Sequence, residues 1–77
     1  MKVKYFGMIA HSLQRESEAL DIQSGIKLGE LSRLLTQKHP ILSEMTFQIA
    51  INQRIAQEND TVHPGDEVAL LPPFAGG

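Results

Sequence analysis

The chain has no cysteine and no tryptophan, and aromatic residues make up only 5% of its 77 residues. Without cysteine there is no disulfide framework, no thiolate metal site and no cysteine nucleophile. No apolar run approaches the ~18 residues of a membrane span, and no charged-then-apolar leader opens the chain, so the expected setting is the cytoplasm, away from membranes. Charge of one sign is missing as well. Seven Lys+Arg stand against nine Asp+Glu for a net charge of −2, so there is no basic footprint for nucleic acid.

What remains is a chain 42% hydrophobic and 21% charged, the balance of a globular domain rather than a disordered one. Its length allows one domain. At this size only ~60% of the unfolded surface is buried on folding, so every apolar face must be used. Little room is left for a private active-site pocket of ~300 Å³ or more. A module that works with a larger partner is expected, rather than an enzyme acting alone.

Hydrophobic periodicity places the elements. Met1 to Phe6 reads as a strand, with Val3 and Tyr5 alternating with Lys2 and Lys4. Met8 to Ser17 reads as a connection of mixed character. Glu18 to Ile22 alternates again, with Leu20 and Ile22 on one face, and Ser24-Gly25 breaks it. Leu28, Leu31, Leu34 and Leu35 then fall three and four apart, the spacing of an amphipathic helix. His39-Pro40 stops that helix, because the residue before proline avoids the helical region. Its start is weakly marked, since Lys27 is a poor N-cap.

Phe47, Ile49 and Ile51 alternate in a third strand, and Asn52-Gln53 forms a two-residue turn into a short return strand from Arg54 to Ala56. Pro64 and Gly65 suit the centre of a type II turn ahead of a last strand, Glu67 to Leu71. Strands and helix do not alternate regularly, so one helix packed on one mixed sheet is the economical arrangement. The expected core is Val3, Tyr5, Leu20, Ile22, Phe47, Ile49, Ile51, Val68 and Leu70 against the leucine stripe.

No catalytic constellation is visible. The histidines at 11, 39 and 63 have no metal-ligand spacing and read as solvated loop residues. The carboxylates Glu16 and Glu18, or Asp66 and Glu67, read as solubilising surface groups. Parity is more informative. Phe6 and Leu71 fall out of phase with the core residues and face the open side of the sheet, where Ala50 and Ile55 join them. If the first and last strands are neighbours, these residues form a partner-binding patch.

The most specific feature is the ending, Leu71-Pro-Pro-Phe-Ala-Gly-Gly77. Two terminal glycines occur by chance about once in 200 chains. Pro72 and Pro73 stop the sheet and project the rest of the tail away from the body in extended geometry. Six residues at ~3.3 Å each reach nearly 20 Å. Phe74 offers an anchor, and Gly76 and Gly77 make the end slim enough for a narrow cleft. The only group there that can react is the Gly77 carboxylate.

Tyr5-Phe6-Gly7, Asn52 at the hairpin, Pro64-Gly65-Asp66-Glu67-Val68 and Leu71 to Gly77 together resemble the small-subunit family of molybdopterin synthase, one of the ubiquitin-like sulfur carriers. The resemblance spans the chain, with the most specific signal in the last fourteen residues. It departs at His11-Ser12-Leu13, at Lys27 and at Phe74.

The resemblance implies an α+β, ubiquitin-like β-grasp fold: a mixed sheet of four to five strands on one main helix, with a body at 1–71 and a flexible tail at 72–77. It also implies that a ubiquitin-activating-type adenylating enzyme, using ATP, activates Gly77, which becomes a thiocarboxylate. That group donates sulfur to a cyclic pyranopterin phosphate in the large synthase subunit. Gly76 grants the tail passage, and Phe6, Ile55, Leu71, Pro72, Pro73 and Phe74 hold the partner. No cofactor is expected on the chain itself and no catalytic group of its own. The rival readings are a thiamin-pathway sulfur carrier, a ubiquitin-like protein modifier, or a β-grasp binding module with an inert tail.

Overall fold

In the computed structural model, which describes residues 1–73, the first strand β1 (Lys2–Tyr5) lies beside the last strand in the chain, β7 (Glu67–Leu71), and runs parallel to it. β2 (Ser17–Ala19) pairs antiparallel with the other edge of β1. β4 (Gln48–Ile51) pairs antiparallel with β7, and β5 (Arg54–Ile55) returns along β4. The five-stranded order is thus β2-β1-β7-β4-β5, a mixed sheet. A separate ribbon joins β3 (Ile26–Lys27) to β6 (Thr61–Val62).

Helix α2 (Leu28–Lys38) carries the leucine stripe, and Leu31 and Leu35 are fully buried with Val3, Tyr5, Ile49, Val68 and Leu70. Each such aliphatic side chain contributes roughly 1.5–3 kcal/mol on burial. Lys27 is the N-cap and supplies no side-chain cap. The β3–β6 ribbon supports this helix start instead: the Leu28 N–H donates to the Asp60 carbonyl (2.9 Å), and Lys27 Nζ to the Asn59 carbonyl (3.1 Å). The helix ends at Lys38, ahead of Pro40, as its sequence predicts.

Several expectations are corrected. The connection after β1 is a helix, α1 (Gly7–Leu13), which docks Ile9 into the core. Seven residues are too few for a helix to stand alone, so packing rather than propensity forms it. Ile9 and Leu13, four apart, were its one sequence signal. The second strand is Ser17–Ala19, not Glu18–Ile22. Leu20, Ile22, Phe47 and Ile51 are half-buried rather than core, while Ile9, Leu42 and Val62 complete it. Leu42 arrives on a 3-10 helix, Pro40–Glu44, that Pro40 initiates.

The turns behave unequally. Asn52 and Gln53 take positive φ values of 50° and 70°, the tight hairpin geometry that asparagine tolerates. The turn at His63–Asp66 closes with the Asp66 N–H donating to the His63 carbonyl (3.0 Å), but Gly65 has no positive φ, so it is not of type II.

Candidate partner-binding face and tail root

The sheet face away from α2 is uncovered. Cross-strand partners share a face, so the register assembles that side row by row. The middle row is Ser17, Lys4, Ala69, Ala50 and Ile55. The row nearest the tail holds Leu71 and Gln48, and Phe6 joins it from the end of β1. The Phe6 N–H donates to the Leu70 carbonyl (3.2 Å), extending the parallel ladder by one residue and setting Phe6 beside Leu71.

Phe6 is 44% exposed and Ile55 51% exposed. Leu71 and Pro72 are half-buried, and Pro73 is exposed. Parity placed Phe6, Leu71 and Ile55 on this face correctly, with one difference in exposure. Ala50 faces the same side but is only 5% exposed. Lys4 pairs with Glu67 across this face at 3.3 Å. Phe74, Gly76 and Gly77, expected to serve anchoring, passage and reaction, lie outside the described residues.

Two local devices fix the two ends of β7. Gly7 has φ +59°, and a Cβ there would lie 3.0 Å from Pro72 Cγ, so the proline ring rests against a bare backbone. At the far end of β7, Asn52 joins the hairpin to the last strand. Its N–H donates to the Glu67 carbonyl (2.8 Å), and its side-chain oxygen accepts from the Glu67 N–H (3.0 Å). Its Nδ2 donates to Asp66 (3.0 Å), whose other oxygen accepts from the His63 N–H (2.8 Å). The His63 N–H first, and then Asn52, hold the Asp66 carboxyl below the usual range. These bonds hold the β4–β7 register, which brings Leu71 out opposite Gln48.

The reading of Glu18 and His39 as solvated is wrong. The alternation that turns Leu20 inward turns Glu18 inward too, and its side chain is only 6% exposed. It accepts from the Tyr5 hydroxyl, Arg15 (3.1 Å), Lys38 Nζ (2.9 Å) and His39 Nε2 (2.5 Å). Burial by itself would raise its pKa, but the hydrogen bonds from Tyr5, Lys38 and His39 more than offset this and hold it at about 2. Burial, then the bond to Glu18, pushes the Tyr5 phenol up. This hub joins β1 and β2 to the end of α2. It lies on the covered side of the sheet, so its role is structural.

Among the described residues no group of three or more His, Cys, Asp or Glu is placed to hold a metal ion. An open groove of about 660 Å³ between α2 and the β4–β5 edge is lined by apolar side chains including Leu28, Met45 and Phe47. Glu58 is the one charged side chain lining it. No helix of the described residues is long and apolar enough to cross a membrane.

The architecture defines a class: a ubiquitin-like β-grasp protein whose first and last strands run side by side and set Phe6 beside Leu71 at their ends. Residues 3–77 match the ThiS family, and the chain belongs to that family. It is 36% identical to the molybdopterin synthase sulfur carrier subunit of Mycobacterium tuberculosis, over 100% of this chain and 96% of that one. Among solved structures, a Pyrococcus furiosus protein described as molybdopterin converting factor subunit 1 superposes with a TM-score of 0.85 at 23% identity, over 95% of each chain. A chain in the Helicobacter pylori complex of subunits 1 and 2 of molybdopterin-converting factor matches with a TM-score of 0.65 at 29% identity. That match covers 99% of this chain and 96% of the other.

Proposed function

We propose that this chain is the sulfur-carrier subunit of a molybdopterin synthase and works in the cytoplasm. The observation that carries the reading is the exposed Phe6 beside Leu71, at the end of the strand from which the Pro-Pro tail leaves. Full-length likeness to a curated carrier subunit supports it, and so does likeness to one chain of a two-subunit complex.

A carboxylate is a poor electrophile, so the Gly77 carboxylate first attacks the α-phosphorus of ATP on an adenylating partner and expels pyrophosphate. Sulfur at the sulfide level, from a donor protein, then displaces AMP and leaves a terminal thiocarboxylate. In the large subunit that sulfur adds to a cyclic pyranopterin phosphate and leaves with it, and hydrolysis returns the Gly77 carboxylate. The chain supplies no acid or base, since only its terminus reacts. Phe6, Ile55, Leu71, Pro72, Pro73 and Phe74 hold the partner, and Gly76 keeps the tail narrow.

Intact mass of the protein purified from its native host tests this. The C-terminal peptide is expected to carry one sulfur in place of one oxygen. Solely unmodified protein from cells making the cofactor would remove the carrier role. Isopeptide links from Gly77 to lysines would replace it with a modifier role, and loss of thiamin synthesis alone on deletion would move it to that pathway.

A further inference from the structure

Gln48 opens β4, and its partner across the antiparallel ladder is Leu71, the last residue of β7. Leu70 is buried in the core, so Leu71 and Gln48 both face away from α2, in the row that Phe6 completes. The side-chain oxygen of Gln48 is buried, and among the described residues it has no hydrogen-bond partner. Buried polar groups left unpaired are rare in folded proteins and destabilise the state that holds them.

Pro72 and Pro73 come directly after Leu71, and proline carries no N–H. Gln48 therefore sits opposite the last ladder residue before the two prolines. Gln48 as a whole is only half-buried.

We infer that Gln48 is a contact for the large synthase subunit, and that an N–H of that subunit supplies the donor its side-chain oxygen lacks, fixing the tail's direction where it leaves the sheet. This rests on the proposed carrier function. It adds to the apolar patch a polar, directional contact. A bond there orients the tail in a way that Phe6 and Leu71, which merely exclude water, do not.

The test compares the full chain with Gln48→Met, which keeps length but removes the acceptor. Affinity for the purified large subunit is measured by titration calorimetry, and the stability of the free protein by urea unfolding. The free variant is expected to be as stable as the wild type or more so, while its affinity falls about tenfold. A merely structural glutamine would move the two together, so stability and affinity falling in parallel overturns the inference. Unchanged affinity also overturns it, and assigns the oxygen to a water. If the wild-type chain fails to bind the large subunit, the carrier reading itself fails and this inference goes with it.

Discussion

The ring of Pro72 fills the space that a side chain on Gly7 would need: a Cβ at position 7 would stand 3.0 Å from Pro72 Cγ. The residue that starts α1 and the residue that starts the tail are thus packed on each other, at the point where both leave the sheet. The contact ties Pro72 to the start of α1.

Gly7→Val should lower stability by about 1–2 kcal/mol, because a left-handed backbone is unfavourable for any side chain and worse for a branched one. Urea unfolding measures this. Adding Pro72→Ala should relieve the steric share but not the backbone share, so the double variant should recover only part of the loss.

Phe6→Asp separates folding from binding. Phe6 is the N-cap of α1 and makes no side-chain cap, and the first turn of the helix carries no acid. Aspartate offers the missing acceptor, so stability should hold or rise by about 0.5–1 kcal/mol. Affinity for the large subunit should fall by ~2 kcal/mol or more if the aromatic ring is an interface anchor. A variant that unfolds would place Phe6 in the core.

Glu18→Gln tests the buried hub. The carboxyl sits at about 2 in the fold against 4.5 ordinarily, so ionised Glu18 stabilises the native state above pH 4.5. That stability is lost as the pH falls from 4.5 towards 2. At neutral pH the variant should be less stable by roughly 3 kcal/mol. The gap between the two melting curves should narrow below pH 4.5 and nearly close at about 2. A gap independent of pH would mean the charge is not what the hub uses.

Gly76→Val addresses the tail. Gly76 lies beyond the end of β7 at Leu71, so melting should be unchanged. A branched Cβ widens and stiffens the tail, and misplacing a reacting group by ~1 Å can cost ~100-fold in rate. Adenylation and product formation with purified partners should collapse while docking persists. Normal turnover would leave the glycines without a mechanical role.

Much of the fold was legible in the sequence because its signals are local. Leu28 to Leu35 repeats at the helical spacing, Val68 and Leu70 alternate, and Asn52 tolerates a left-handed turn. α1 was not legible, since its seven residues are held by burial of Ile9 rather than by any intrinsic preference. Glu18 was misread for a related reason. Its phase was plain, but donors from β1, the loop after α1, the end of α2 and the residue beyond it had to converge before a carboxylate could lie inward.

By itself the sequence determined the alternation that turns Phe6 and Leu71 away from the core, and the slim, proline-led ending, because side-chain phase and proline's missing N–H are properties of the chain. Only the tertiary structure decided that the two residues meet. That requires the first and last strands to pair in parallel, an association between opposite ends of the chain that local pattern does not encode. It also decided that Ala50 disappears between its neighbours while Gln48 is left without a partner. Exposure and hydrogen bonding depend on what neighbouring strands place alongside, and register alone sets that.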